Sequence, residues 1–219
     1  MLIQGLVQPP PAQSMPDSMN PVAVIQGKQG ELIVSEMGGK YFTQCYRGNL
    51  YEYATPLAGV TLGTSGATTQ TFGIFNPAGS NKLIVPTKAR AAVVEGTPTV
   101  SSLVWTVSTG MGTGVAGTSP LQTATFVTTT LNGRSDVLGN NSVARVITTC
   151  LLTTAPVVKR YFGSTWGAPI ATTASVFPSL IDDFDGDTVV GPGTIFFLSC
   201  TLAPAGTTDV SLTWEEVPA

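Results

Sequence analysis

The sequence contains no histidine, and this absence restricts its chemistry more than any other feature of its composition. Histidine is the commonest general base near neutral pH and the commonest metal ligand, so histidine-dependent catalytic triads and dyads are excluded. The three cysteines, Cys45, Cys150 and Cys200, lie far apart, and no CxxC motif for zinc or redox chemistry exists. We expect free buried thiols, folding in a reducing compartment, no cofactor and no enzymatic activity.

Charged residues are also scarce, at 11% of the chain, against about 25% in a typical globular protein. The ten basic residues are scattered and the formal net charge is −3, so no basic stripe exists that would bind nucleic acid. Hydrophobic residues make up 42% of the chain, which is enough for a folded core and argues against disorder. The low charge therefore indicates a neutral surface, which suits a protein that packs against other proteins.

Long hydrophobic runs are missing as well. No apolar run approaches the roughly 20 residues that a membrane-spanning helix needs, and the longest candidate, residues 194–198, has the length of a strand. The first seven residues lack the basic region of a signal peptide. We therefore expect no membrane partner and no secretion signal.

Short runs rich in β-branched and aromatic residues recur from residue 22 onwards, one of them at residues 41–46. Turn signals separate them, for example at residues 76–79, 185–186 and 191–193. Many short strands with regular turns predict an all-β sandwich or barrel, and one such domain accounts for residues 22–219. Trp105 and Trp214 lie within these runs, and we expect both to fill the core.

Residues 1–21 differ from the rest, because Pro9, Pro10, Pro11, Pro16 and Pro21 stiffen this segment into an extended arm. An apolar tip, residues 2–7, precedes the prolines. Either the arm docks this tip on a neighbouring molecule, or it is an ordinary frayed terminus. In the first case the contact residues are Leu2, Ile3, Leu6, Val7, Pro9, Pro10 and Pro11.

Residues 96–133 carry no charge and are rich in glycine, threonine and serine. This stretch forms either an exposed loop that packs on a partner, with contacts from Met111 and Val115, or a flexible hairpin loop between two strands. Its Gly-rich centre lacks the lysine and the following helix that a phosphate-binding loop requires, so a nucleotide site is not expected.

Four aspartates lie within residues 182–187, and oxygen-rich loops of this kind can bind Ca²⁺. Asp183, Asp185 and Asp187 are the candidate ligands. The spacing differs from that of an EF-hand, and aspartate also favours tight turns because it hydrogen-bonds to its own backbone. We favour a polar β-turn without metal over a calcium site.

Three segments carry a more specific pattern: residues 27–49, with GKQGELIVSE and GKYFTQCYRGN, residues 75–83, FNPAGSNKL, and residues 214–218, WEEVP. Together they resemble a group of structural proteins from tailed bacteriophages. The resemblance implies a virion component without specifying which one, and it implies no catalytic residues.

From the residues and the resemblance together we expect a capsid decoration, or cement, protein. Its fold would be a jelly-roll-like antiparallel β-sandwich with an extended N-terminal arm. Its partners would be the major capsid protein and further copies in a homotrimer, since capsid lattices offer three-fold sites. It would be assembled in the bacterial host cytoplasm and lie on the capsid exterior. The alternatives are a tail, head-fibre or host-glycan-binding virion component, the last of which predicts an exposed Trp166.

Overall fold

The computed structural model describes residues 4–5, 22–23, 40–96, 101–111, 121–127, 130–134, 142–165, 179–203 and 206–219. These ranges are almost entirely β-structure with one short helix. In chain order the elements are β1 (Gln4–Gly5), β2 (Val22–Ala23), α1 (Phe42–Tyr46), β3 (Leu50–Ala54), β4 (Thr69–Gln70), β5 (Gly73–Asn76), β6 (Lys82–Gly96), β7 (Ser101–Ser108), β8 (Leu121–Phe126), β9 (Leu131–Asn132), β10 (Arg145–Leu152), β11 (Val157–Thr165), β12 (Leu180–Asp183), β13 (Thr194–Cys200) and β14 (Gly206–Pro218).

The strands form two main antiparallel sheets. The larger sheet has the order β11-β7-β13-β5-β10-β4, with β8 also paired to β10. The smaller sheet has the order β12-β6-β14-β3-β9, and β1 and β2 pair separately as a two-stranded ribbon. The predicted all-β antiparallel sandwich is therefore confirmed.

Eight of these strands follow the order of a jelly roll. The chain places β3, β6, β12 and β14 in the smaller sheet and β5, β7, β11 and β13 in the larger one. The resulting neighbours, β3-β14-β6-β12 and β5-β13-β7-β11, are those of two nested Greek keys. The segment between β7 and β11 adds β8 and β10 to the larger sheet beside β5.

The main core lies between the two sheets, and strand periodicity decides which residues enter it. In β14 buried and partly exposed residues alternate over most of its 13 residues, which places Leu212 and Trp214 inward. Trp105 of the larger sheet is fully buried and stacks on Phe196, with ring centroids 4.7 Å apart. The expectation that Trp105 and Trp214 belong to the core is confirmed.

A second, smaller core covers the opposite face of the larger sheet. Consecutive residues of β13 demonstrate this, because Phe196 packs between the sheets whereas Ile195 and Phe197 pack in the second cluster. Met111 and Leu121, which flank the Gly-rich part of the neutral stretch, are fully buried in this second cluster. The residues on either side of the Gly-rich part are therefore anchored on the outer side of the larger sheet.

The predicted strand at residues 41–46 is wrong, because Phe42–Tyr46 forms the helix α1. The Cys45 backbone N donates to the Tyr41 carbonyl at 2.9 Å, and the rings of Phe42 and Tyr46 meet one turn apart at 6.0 Å. Gly48, with a φ of 73°, then reverses the chain, as glycine does at helix C-termini.

The runs at residues 83–85 and 91–94 also differ from expectation, because one 15-residue strand, β6, contains both. Pro86 lies inside β6 and pairs with Trp214 of β14, next to a shift in the register between these two strands. A bulge of this kind accommodates proline, which cannot donate to the ladder.

Candidate functional site

The edge strands β11 and β12 meet along one side of the sandwich. Among the described residues β11 pairs only with β7, and β12 only with β6. The two edges approach closely at Gly163, where a Cβ atom would lie 2.9 Å from Leu180 Cδ1. Edge strands present unpaired backbone groups and are natural sites for contact with another chain.

Large apolar side chains flank these two edges in solvent. Val157 and Tyr161 on β11 are 69% and 70% exposed, Ile181 on β12 is 60% exposed, and Val158 is 42% exposed. We refer to Val157, Val158, Tyr161 and Ile181 as the edge surface. Single exposed apolar residues are normal in a folded protein, and these two adjoining edges carry four of them.

A buried polar network holds the two edges together beneath the edge surface. The Trp105 indole Nε1 donates to Asp182 Oδ2 at 2.8 Å, and Arg160 Nη2 donates to Asp182 Oδ1 at 2.7 Å. Arg160 also pairs with Asp187, and its guanidinium lies 5.1 Å from the centre of the Phe184 ring. Burial raises the pKa of Asp182, while the Trp105 hydrogen bond and Arg160 lower it.

The candidate calcium ligands have cationic side chains as partners. Asp187 pairs with Arg160, and Lys40 pairs with Asp185 and lies 3.8 Å from Asp183 Oδ1. In the part of the chain that the structure describes, no three His, Cys, Asp or Glu side chains are grouped to hold a metal ion. Residues 184–187 form a tight turn in which the Asp187 backbone N donates to the Phe184 carbonyl at 2.9 Å.

The described parts of the three segments singled out in the sequence, residues 40–49, 75–83 and 214–218, meet at one end of the sandwich around Glu216. This carboxylate is fully buried, and Lys82 Nζ lies 3.3 Å from its Oε2. Its Oε1 accepts from Ser142 Oγ at 2.6 Å and from the backbone N of Val143 at 2.9 Å, and the Glu216 backbone N donates to the Asn49 carbonyl at 3.0 Å. The sequence contains a signal for this site, because Glu216 continues the inward series of Leu212 and Trp214.

A cleft of about 540 Å³ opens beside this cluster. Its walls include the turn from Pro77 to Ser80, the ring of Phe126 and the start of β10. Arg145 lies over Phe126, with its guanidinium carbon 5.5 Å from the ring centre. Arg145 is the only charged residue among the described residues that line the cleft, so this lining lacks the acid pair that hydrolysis of a glycoside needs.

The other residues predicted as contacts do not lie on a described surface. Leu2, Ile3, Leu6, Val7, Pro9, Pro10, Pro11, Val115 and Trp166 lie outside the described residues. Met111 is described but fully buried, and its backbone N donates to the Gly193 carbonyl at 2.9 Å. The structure therefore gives Met111 a packing role in the second core in place of the predicted surface contact.

The three cysteines are free as expected, and Cys150 and Cys200 are buried, whereas Cys45 is only partly buried, contrary to the expectation. Burial raises the pKa of Cys150 to about 12 and that of Cys200 to about 11. A thiol needs a lowered pKa to act as a nucleophile near neutral pH, so both have the character of core residues. No helix among the described residues is long and apolar enough to cross a membrane.

Compared with known protein families, curated proteins and solved structures, the chain matches none of them. Its function has to be inferred from its own residues.

Proposed function

We propose that this protein is a bacteriophage virion structural protein, and specifically a capsid decoration protein. It would bind the major capsid protein across joints between capsomers on the capsid exterior and stabilise the shell by burying surface. Jelly rolls occur in viral capsid proteins, and also in lectins and cupins. The observation that carries the proposal is the edge surface.

The edge surface has the properties expected of a protein contact. Complete burial of one large aliphatic or aromatic side chain contributes about 1.5–3 kcal/mol. The four residues of the edge surface are 42–70% exposed, so burying their exposed parts would contribute about 4–7 kcal/mol, against an association cost of about 4–15 kcal/mol. One copy would bind modestly by this surface alone, and several linked copies would bind much more tightly through effective concentration. This favours a decoration protein that acts as a homo-oligomer.

The polar network beneath the edge surface supports the same role. Arg160 on β11 and Asp182 on β12 join the two sheets at this side, and the Trp105 indole fixes Asp182 from the core. A surface whose supporting side chains are already fixed loses less conformational entropy on binding. The edges are therefore preorganised to contact a rigid lattice.

A second candidate, a host-glycan-binding virion component, is favoured by the cleft beside Phe126 and Arg145. An aromatic ring with a few polar groups is a common composition for a small-ligand site. Binding to a glycan array that is lost in Phe126→Ala would support this candidate. Unchanged capsid binding by the Phe126→Ala variant would show that the cleft does not take part in the capsid contact.

The proposal is tested with purified protein and capsids assembled without it. Wild-type protein should cosediment with the shells, and Val157→Asp and Tyr161→Asp should each weaken binding by about tenfold or more, since about 1.4 kcal/mol corresponds to a factor of ten. Leu131→Asp is the matched control, because Leu131 is 62% exposed but lies on β9 at the opposite edge of the smaller sheet. Failure of the wild-type protein to bind shells, or equal binding by all three variants, would overturn the proposal.

A further inference from the structure

The cleft of about 540 Å³ has walls that the fold fixes from within. One wall is the turn at residues 77–80, which directly follows β5. Asn76, the last residue of β5, is fully buried beneath this turn. Its Nδ2 donates to the Lys82 carbonyl at 2.8 Å, and its Oδ1 accepts from Ser80 Oγ at 2.7 Å. One buried amide therefore holds the turn at its far end.

A second buried polar side chain fixes another wall, which residues 142–144 form just before β10. Glu216 Oε1 accepts from Ser142 Oγ and from the backbone N atoms of the next two residues, at 2.6, 2.9 and 3.2 Å. The Glu216 side chain has no exposed surface, and Lys82 Nζ lies 3.3 Å from its other oxygen. Its negative charge is thus matched inside the protein and is not presented to the cleft.

The third wall carries the charge of the cleft. The ring of Phe126, at the end of β8, stacks on Phe75 with the ring centroids 5.9 Å apart. The Arg145 guanidinium carbon lies 5.5 Å from the centre of the Phe126 ring, a cation–π contact that holds the side chain in place. In the described part of the chain no carboxylate forms an ion pair with Arg145. Its guanidinium is therefore positioned while its N–H donors stay available.

These walls have the construction of a preformed small-molecule site. Burying an amide and a carboxylate is costly unless their hydrogen bonds are made, and here both groups use them to fix the lining. Walls that are already fixed lose little conformational entropy when a ligand binds. The volume lies within the range of about 300–1,000 Å³ that is usual for such sites.

We infer that this cleft binds a saccharide that carries a carboxylate, with Arg145 as the anchor for that carboxylate. A planar guanidinium matches a carboxylate through two parallel hydrogen bonds. The rest of the described lining mixes the Ser80 hydroxyl and turn backbone with the apolar side chains of Pro77, Ala78 and Val143, and this mixture suits the hydroxyl groups and C–H faces of a sugar. The inference rests on the host-glycan-binding candidate and deepens it, because it names the class of glycan.

The number of charges favours a ligand with an isolated carboxylate over a polyanion such as nucleic acid. A polyanion gains its affinity from many contacts between basic side chains and phosphates. The described lining supplies Arg145 alone. A neutral saccharide would leave this guanidinium without an ionic partner, so the cleft should discriminate by charge.

Isothermal titration calorimetry of the purified full chain tests the inference. The ligands are three otherwise identical oligosaccharides that end in glucuronic acid, in glucose or in a glucose sulfate ester. We expect the glucuronic acid ligand to bind at least about tenfold more tightly than the glucose ligand, as loss of one charged hydrogen-bonded pair predicts. Arg145→Gln should weaken binding of the acid by about tenfold and abolish the preference.

Arg90→Gln is the matched control, because it removes the same charge from an exposed position on β6 in the other sheet. It should bind the acid as wild type does. Arg145 is exposed as well, so both variants should unfold in urea close to the wild-type midpoint. Equal binding of the acidic and neutral ligands, or undiminished binding of the acid by Arg145→Gln, would overturn the inference and leave a glycan-binding cleft in place.

Tighter binding of the sulfate ester than of the glucuronic acid ligand would overturn the assignment to carboxylates. Absence of binding to every acidic saccharide on a glycan array would overturn the inference, and absence of binding to neutral saccharides as well would remove the glycan-binding candidate. The capsid proposal is tested separately, because Arg145→Gln should cosediment with shells as wild type does. Failure of the wild-type chain to bind shells would leave the saccharide titrations unaffected.

Discussion

The buried carboxylate of Glu216 offers the sharpest test of how this fold is held together. Its Oε1 accepts from Ser142 Oγ at 2.6 Å and from the backbone N atoms of Val143 and Ala144 at 2.9 and 3.2 Å. Lys82 lies 3.3 Å from its other oxygen. The carboxylate therefore joins the end of β14 to the segment just before β10 and to the first residue of β6.

Glu216→Gln keeps the shape of the side chain and removes its charge. Hydrogen bonds to a charged group contribute about 1.5–3 kcal/mol each and neutral ones about 0.5–1.5 kcal/mol, so three weakened bonds lose about 3 kcal/mol in total. Relief from burying a charge offsets part of this loss, whereas the ion pair with the partly exposed Lys82 adds at most about 1 kcal/mol. We expect a decrease of about 2–3 kcal/mol in the free energy of unfolding.

Urea denaturation with an unchanged m-value measures this decrease. Glu215→Gln is the matched control, because Glu215 is the preceding residue in the chain and points to the opposite face of β14. Burial raises the pKa of Glu215 more than the nearby Arg47 lowers it, so its charge does not stabilise the fold, and removing it should leave the free energy of unfolding unchanged or increase it. Ser142→Ala removes the hydrogen bond to Glu216 together with the hydrogen bonds between Ser142 Oγ and the Ala144 backbone, and it serves if Glu216→Gln does not fold. Equal stability of the Glu216→Gln and Glu215→Gln variants would refute the role given to Glu216.

Two further predictions concern the core. Gly73→Ala should destabilise the fold by about 1–3 kcal/mol or more, because a Cβ there would lie 2.5 Å from Phe197 Cδ1 and 2.9 Å from a backbone carbonyl oxygen. Gly66→Ala, where no atom lies within 4 Å, is the control in the same urea titration, and similar midpoints would contradict the steric argument. In native protein a thiol reagent at mildly alkaline pH should label the partly exposed Cys45 well before Cys150 and Cys200, whose pKa values burial raises. Equal labelling rates, measured by mass spectrometry, would argue against their burial.

Local sequence patterns predicted the strand content and many of the turns. The short run at residues 210–214 predicted the middle of β14, and glycine identified turns such as those at Gly79 and Gly193, which have φ values of 81° and 73°. These features depend on neighbours in sequence. The helix α1 was missed because five residues are too few to show a helical period.

The features that were not predicted depend on partners distant in sequence. The pattern of aspartates indicated a turn, whereas Asp182 lies in a strand and is buried because Trp105 and Arg160, 77 and 22 residues away, approach it. Met111 was expected at the surface because its segment is neutral and rich in glycine. It is buried because the outer side of the larger sheet carries a second apolar cluster, which composition does not reveal.

The most direct test of the central proposal is a cryo-EM reconstruction of the intact virion. We expect density of the size of this β-sandwich on the capsid exterior, at three-fold or quasi-three-fold positions. The edge surface around Tyr161 should face the capsid protein. Density confined to the tail or the portal vertex would contradict the decoration role.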